Sequence, residues 1–260
     1  MNLQNKISVW LKNYLEDNNL KSFIIGVSGG IDSAVTSALC AHTKKKTILL
    51  TMPIHQNLDE TTRGKNHIEW LKNKYENIED LHIDLTDTYE KLKVTVPVKF
   101  QSDLSLANTR ARIRMSTLYL IAGASNGLVV GTGNKVEDFG VGFFTKYGDG
   151  GVDISPIADF MKSEVYDLGK EIGIIEEIMK AQPTDGLWND GRTDEDQLGI
   201  SYNDLEWAME FISQVGRISG TPTPSTWSDL NEKQIEIIKV YTKHRKLNLH
   251  KMNKIPVFKK

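Results

Sequence analysis

Apolar residues along the chain follow two rhythms that take turns. Leu3, Ile7, Trp10, Leu11 and Tyr14 recur at helical spacing and predict an amphipathic helix at the start. Phe23-Ile24-Ile25-Gly26-Val27 is a short apolar run and predicts a buried strand. A tight polar turn, Ser28 to Ser33, separates it from a helix predicted over 34–41. The pattern repeats: a strand at 47–52 stopped by Pro53, a helix over 59–75, a strand at 82–85, a long helix over 104–124 and a fourth strand at 128–130. Strands alternating with helices indicate a parallel sheet covered on both faces.

Beyond Gly131-Thr132-Gly133 the rhythm weakens. Residues 136–153 are rich in glycine and aromatics and read as a functional loop, not a packed element. A helix is predicted over 162–172, a polar loop over 182–196, and two closing helices near 202–214 and 231–247, joined by a Thr/Pro connector at 221–225. No repeat, low-complexity tract or domain boundary interrupts the chain, so 1–260 reads as one domain.

Composition narrows the classes. A net charge of −2 lacks the basic excess of a nucleic-acid binder. No apolar run approaches the roughly 20 residues that span a bilayer, and the start has no signal-peptide core. Cys40 stands alone, which excludes an internal disulfide and a thiolate zinc cluster. The six histidines show no metal-ligand spacing, so His42, His55, His67 and His82 read as structural or solvated. The expectation is a cytoplasmic enzyme with neither membrane nor nucleic acid as partner.

The segment Ser28-Gly29-Gly30-Ile31-Asp32-Ser33 carries the chemistry. Two glycines let the backbone turn sharply and approach an anion, and the following helix N-terminus offers free N–H groups. Ser28 and Ser33 are candidate donors to phosphate oxygens. Asp32 would repel a bare phosphate and fits if a cation lies between them; Mg²⁺ takes one or two carboxylates plus phosphate oxygens. The plain alternative is an ordinary strand-to-helix turn. The segment is neither a Walker A loop nor a dinucleotide Gly-x-Gly-x-x-Gly turn.

Ser-Gly-Gly-Ile-Asp-Ser after a strand resembles the phosphate loop of the N-type ATP pyrophosphatases, which cleave ATP between the α and β phosphates. The stretches Gly131–Glu137, Gly142–Asp153 with its Phe-Phe-Thr-Lys-Tyr-Gly-Asp-Gly core, Asn108–Met115, Pro183-Thr184, Thr193-Asp194-Glu195, Leu198–Tyr202 and His250-Lys251 resemble the NAD synthetases. The resemblance implies a Rossmann-like doubly wound fold of the adenine nucleotide alpha hydrolase kind. It also implies ATP-dependent amidation of deamido-NAD⁺ through an adenylated nicotinate, releasing AMP and pyrophosphate.

Carried onto this chain, the resemblance assigns ATP to Gly26, Val27, Ser28, Gly29, Gly30, Ile31, Asp32, Ser33, Thr132, Lys162 and Thr184. Mg²⁺ goes to Asp32 and Glu137. Deamido-NAD⁺ goes to Arg112, Lys146, Asp153, His250 and Lys251. Asp32, Lys162 and Asp153 are the candidate catalytic residues. Glu137 has a solvated loop carboxylate as its alternative, and Lys162 a surface lysine. Asp149 and Asp153 are open between ribose binding and orienting ammonia. Phe143 and Phe144 are open between framing the nicotinate ring and core packing. Arg110, Arg112 and Arg114 lie two apart and fan over different helix faces, so they cannot all meet one ligand; Arg112 is the family match, and Arg110 and Arg114 are open between ligand contact and structural ion pairing. Arg63 is open between adenine and solvent.

The resemblance further implies a homodimer, with the long helix as a candidate contact. Loops 136–153 and 182–196 are candidates to order over substrates. Within 260 residues no length remains for a glutamine-hydrolysing domain, and Cys40 lies inside the synthetase unit, so free ammonia is the expected nitrogen source. The rival readings are another adenylating relative, such as a GMP-synthetase-like or tRNA-thiolating enzyme, and a nucleotide sensor without turnover.

Overall fold

A four-stranded parallel sheet in the order β3-β2-β1-β4 organises the chain. The structure is a computed structural model that describes residues 2–188, 191–219, 227 and 230–260. The connector at 221–225 lies outside the described residues. The strands are β1 (Ser22–Gly26), β2 (Lys46–Thr51), β3 (Ile78–His82) and β4 (Gly127–Val129). Among the described residues the helices in chain order are α1 (Leu3–Asp17), α2 (Ile31–His42), α3 (Leu58–Lys72), α4 (Thr86–Thr95), α5 (Asp103–Ala124), α6 (Lys162–Ile172), α7 (Glu176–Met179), α8 (Asp194–Leu198), α9 (Tyr202–Ser219) and α10 (Glu232–Met252).

Alternation along the strands builds two core layers. Phe23 and Ile25 of β1 and Leu49 of β2 pack against Leu11, Leu15, Ala34, Ala38 and Val165 on one face. Ile24, Ile48 and Leu50 point the other way, onto Tyr89, Ala122 and the partly buried Leu118 and Ile121. Near-continuous apolar strands are what burial on both faces requires. A third cluster joins Val136, Val141, Leu198, Tyr202, Leu205, Ala208, Ile237 and Tyr241.

Three expectations need correction. The third strand is Ile78–His82, displaced toward the N-terminus from 82–85. It is an edge strand with an exposed, acidic pattern, so it lacks the apolar signature, while Leu85 packs beneath α4. Residues 136–153 do not form a loop throughout. Lys135–Val141 is a π-helix with fully buried Val136 and Val141, and its seven residues are too short for a periodic signal. The helix after the phosphate turn starts at Ile31, so Asp32 and Ser33 lie in its first turn.

β1 pairs with β2 on one side and β4 on the other, all parallel. The chain leaves β1 toward β2 and β3, then returns to place β4 on the opposite edge. In open α/β sheets the crevice at such a switch point, beyond the C-terminal strand ends, is where ligands bind. The segments that follow β1 and β4 face each other there.

Candidate active site

The turn after β1 is closed by its own hydroxyls. The Ser28 N–H donates to Ser33 Oγ (3.2 Å), the Gly30 N–H donates to Ser28 Oγ (3.2 Å), and Ser33 Oγ donates to the Gly30 carbonyl (3.0 Å). The two hydroxyls meet at 3.2 Å. Ser33 is buried, so it braces the turn. Gly29 has φ +89°, and a Cβ there would meet the Glu60 carbonyl oxygen at 2.4 Å. Gly64 of α3 closes the contact from the other side, with Val27 O and Gly29 N nearest the place its Cβ would take. The turn is thus seated backbone to backbone on α3. α2 begins at Gly30 with no side-chain cap, which leaves its N-terminal N–H groups available to an anion.

Across the crevice, Asn134 precedes the π-helix and is fully buried. Its Oδ1 accepts from the N–H groups of Val136 and Glu137 (3.1 Å each), and its Nδ2 donates to Asp32 Oδ1 (3.2 Å). One side chain therefore caps the segment that carries Glu137 and ties it to the turn after β1. Lys162 enters from the first position of α6. Its Nζ donates to Asp32 Oδ2 at 2.6 Å and to Glu137 Oε1 at 2.8 Å. The lysine side chain is only 4% exposed, its partners 18% and 16%. This is not the surface lysine of the alternative reading, and Glu137 is not a solvated loop carboxylate.

Electrostatics follow from that burial. Desolvation pushes the Lys162 ammonium toward losing its proton, but the charges of Asp32 and Glu137 outweigh it and hold the proton firmly. Burial raises the Glu137 carboxyl, yet the Lys162 charge and hydrogen bonds from Lys162 and Tyr202 bring it below its ordinary value. For Asp32, burial wins over Lys162 and the shift is upward, with Glu137 adding repulsion. The Tyr202 phenol donates to Glu137 Oε1 at 2.6 Å and lies 3.2 Å from Asp194 Oδ2. Burial, then the Glu137 charge, raises the Asp194 carboxyl to about 7.

A second group assembles along α5. Arg112 Nε and Nη2 donate to the Lys146 carbonyl (3.3 Å each), Lys146 Nζ to the His250 carbonyl (3.0 Å), and Lys251 Nζ to the Phe144 carbonyl (2.7 Å). Four of the five residues assigned to the dinucleotide thus meet where α5, the loop after the π-helix and the end of α10 converge. Asp153 stands apart from Lys162. Its oxygens accept from Tyr119 Oη (2.9 Å) and the Val129 N–H (2.7 Å), bracing the β4 edge. Tyr119 lies seven residues from Arg112, on the same face of α5 and about 10 Å along it.

Arg110 and Arg114 share the face that Arg112 does not. Arg110 Nη1 donates to the Leu187 carbonyl (2.7 Å); Arg114 Nε donates to the Met52 carbonyl (2.9 Å) and its Nη2 to Gln56 Oε1 (3.0 Å). Their hydrogen bonds go to carbonyl and amide oxygens, not to the carboxylates of the ion-pair alternative. Burial and the Arg110 charge lower Arg114 to about 10. Thr184 and Arg63 line a cleft of about 780 Å³ together with Glu60, Tyr89, Arg110 and Trp188. Arg63 Nε reaches the Gly29 carbonyl (3.5 Å), and Thr184 Oγ1 accepts from the Gly186 N–H (3.2 Å). Thr132 is half-buried, three residues past the C-terminal end of β4. Asn134, Tyr202 and Asp194 all stand in quoted motifs without a role of their own, because no residue type announces a hydrogen bond across 65 or 102 positions.

The two carboxylates converge on one cationic nitrogen, which tests the metal assignment on geometry. Among the described residues no third acidic or imidazole group completes a metal cage. Two carboxylates with the remaining positions left to water and phosphate oxygens are the donor set that suits Mg²⁺.

Comparisons with known proteins agree with this arrangement. The model of the NAD synthase family matches residues 3–253. An NH(3)-dependent NAD(+) synthetase of Alkaliphilus metalliredigens is 37% identical over 215 residues, covering 79% of this chain and 84% of the relative. An NMN synthetase from Francisella tularensis superposes with a TM-score of 0.79 at 30% identity, covering 98% of this chain and 96% of that one. An NH3-dependent NAD synthetase from Campylobacter jejuni has the same fold, with a TM-score of 0.75, 24% identity and coverage of 98% and 97%. A parallel sheet with its crevice at the β1/β4 switch point, a Ser-Gly-Gly-Ile-Asp-Ser turn and a match over nearly the whole chain lead to one assignment: this chain belongs to the NAD synthase family.

Proposed function

We propose that the chain makes NAD⁺ by amidating deamido-NAD⁺ with free ammonia, at the expense of ATP cleaved to AMP and pyrophosphate. The observation that carries the reading is Lys162 buried between Asp32 and Glu137 beside an uncapped helix N-terminus. Such a site suits a leaving pyrophosphate, because it offers N–H donors, an ammonium and a carboxylate pair for a cation.

The chemistry has two displacements. A nicotinate carboxylate oxygen attacks the α-phosphorus, and the bond to the β-phosphate oxygen breaks. Ammonia then attacks the acyl carbon, and AMP leaves with the former carboxylate oxygen. Splitting the reaction replaces a poor leaving group by a good one. In this reading the turn Gly26–Ser33 binds the phosphates, with Thr132, Thr184 and Lys162 alongside. Asp32 and Glu137 would hold Mg²⁺, which when bound neutralises phosphate charge. Arg112, Lys146, His250 and Lys251 form the dinucleotide end, where cations on converging segments suit its phosphates. Asp153 belongs to the same α5 face as a support. The chain works as one catalytic unit, and the name of the Alkaliphilus relative supports ammonia taken directly.

The likeness to a protein named NMN synthetase supports a second reading, amidation of the corresponding mononucleotide. Initial rates with deamido-NAD⁺ and with nicotinate mononucleotide, each with MgATP and ammonium, separate the two. The dinucleotide is expected to have the higher kcat/KM by at least tenfold. Preference for the mononucleotide transfers the assignment to the second reading, and no amide from either rejects both. Glutamine in rigorously ammonia-free buffer should give no turnover.

A further inference from the structure

Glu137 Oε1 receives two hydrogen bonds of different character. One comes from Lys162, an ammonium that also serves Asp32 and that the proposed chemistry needs at the phosphates. The other comes from Tyr202, a neutral donor with no second task in that chemistry. A lysine drawn toward phosphate leaves the Glu137 carboxylate with two partners, the Tyr202 phenol on Oε1 at 2.6 Å and the Asn134 amide, which is shared with Asp32. The phenol itself cannot swing. Its ring is buried among Val136, Val141, Leu198 and Leu205, lies 4.9 Å beneath Lys162 Nζ, and stands on the first turn of α9, where the Tyr202 N–H donates to Glu195 Oε1 (2.8 Å).

Asp194 Oδ2 lies 3.2 Å from the phenol oxygen; with the single phenol proton on Glu137, this contact is a hydrogen bond when the buried Asp194 carboxyl keeps its own proton and donates it. It is buried, and its Oδ1 has no hydrogen-bond partner. Its backbone N–H donates to the Pro183 carbonyl (3.1 Å), beside Thr184. A continuous contact therefore runs from the Thr184 segment through Asp194 and Tyr202 to Glu137.

We propose that Tyr202 is a positioning residue for the reaction, its phenol fixing Glu137 for the divalent cation while Asp194 fixes the phenol. The proposal rests on the reading of Asp32 and Glu137 as the cation pair. It assigns Tyr202 a role that acts through Glu137.

The test is Mn²⁺ binding, followed by electron paramagnetic resonance of the free ion. The protein is saturated with an ATP analogue whose α and β phosphorus atoms are joined through carbon. Tyr202→Phe keeps the ring and removes the hydroxyl. The Mn²⁺ dissociation constant is expected to rise at least fivefold, with the thermal midpoint and the KM for deamido-NAD⁺ little changed. A merely structural role would move the midpoint and leave the metal constant alone. Glu137→Gln is the reference. If it weakens Mn²⁺ binding while Tyr202→Phe stays within twofold of the parent, the proposal is overturned and the metal reading stands. If neither variant weakens binding, both are overturned. Should Tyr202→Phe fail to fold, Asp194→Ala reads the same contact from its other end, with a threefold rise expected and no rise overturning the proposal.

Discussion

Gly29 and Gly30 are neighbours with different tasks. Gly29 needs its missing side chain twice, for φ +89° and for the Glu60 carbonyl 2.4 Å from any Cβ. Gly30 sits at φ −93°, ψ 162°, which any residue adopts, and a Cβ there finds Ser28 Oγ at a comfortable 3.5 Å. Gly29→Ala should therefore lose stability by roughly 1–3 kcal/mol or more, from backbone strain at a packed turn. Gly30→Ala should lose under about 1 kcal/mol, as an N-cap exchange does, while its KM for ATP rises because a methyl group faces the anion. Urea unfolding and ATP kinetics on the pair check this; equal stability losses would contradict it. Lys162 supplies the second test at this scale. Lys162→Met leaves two buried carboxylates facing each other without their cation, a loss of about 3–5 kcal/mol at neutral pH. Without the ammonium, only hydrogen bonds from Tyr202 and Asn134 oppose burial, the largest influence on both carboxyls, so the folded state binds protons the unfolded chain does not. The variant should then gain stability as pH falls toward the carboxyl range, the reverse of a paired carboxylate. Urea midpoints from pH 5 to 8 decide; a flat profile would mean that the pair is solvated.

At the scale of elements, what the sequence revealed depended on period and length. The α5 and α6 predictions came within one residue of Asp103–Ala124 and Lys162–Ile172, because long elements accumulate a periodic signal. β1, β2 and β4 were legible as apolar runs buried on both faces. β3 was misplaced because an edge strand can be polar, and α4 was missed because only Tyr89 of its ten residues is buried. The phosphate turn was legible as glycines between a strand and a helix. Its seat on Gly64 of α3 was not, since nothing local tells which second glycine it meets. Asp32 was legible as a carboxylate in a phosphate turn that calls for a cation, and Glu137 through the family motif past the fourth strand. The geometry then adds what motifs do not contain, namely Lys162 between the acids, Asn134 joining Asp32 to the Glu137 segment, and Tyr202 behind Glu137. These are contacts between distant segments, and they arise from tertiary packing.

At the scale of the molecule, no helix among the described residues is long and apolar enough to cross a membrane. Yet α5 shows Leu104, Tyr119 and Leu120 to solvent, and the segment before it shows Val94, Val98 and Phe100. Exposed apolar side chains of this kind suit a contact surface, and the homodimer that the family resemblance implies is proposed to form through α5. Sedimentation equilibrium should return about twice the chain mass of 29.3 kDa. Leu120→Glu should shift it toward the single chain and lower dinucleotide affinity; a monomeric parent with full activity would remove the dimer.

The central claim is that the crevice between β1 and β4 activates a carboxylate by joining it to AMP. Deamido-NAD⁺ labelled with ¹⁸O in its nicotinate carboxylate tests it most directly, with the AMP product read by mass spectrometry after turnover with ammonia. The account predicts one ¹⁸O in the phosphate of AMP for each NAD⁺ formed, and none in pyrophosphate. Unlabelled AMP, or label released as inorganic phosphate alongside ADP, would contradict it.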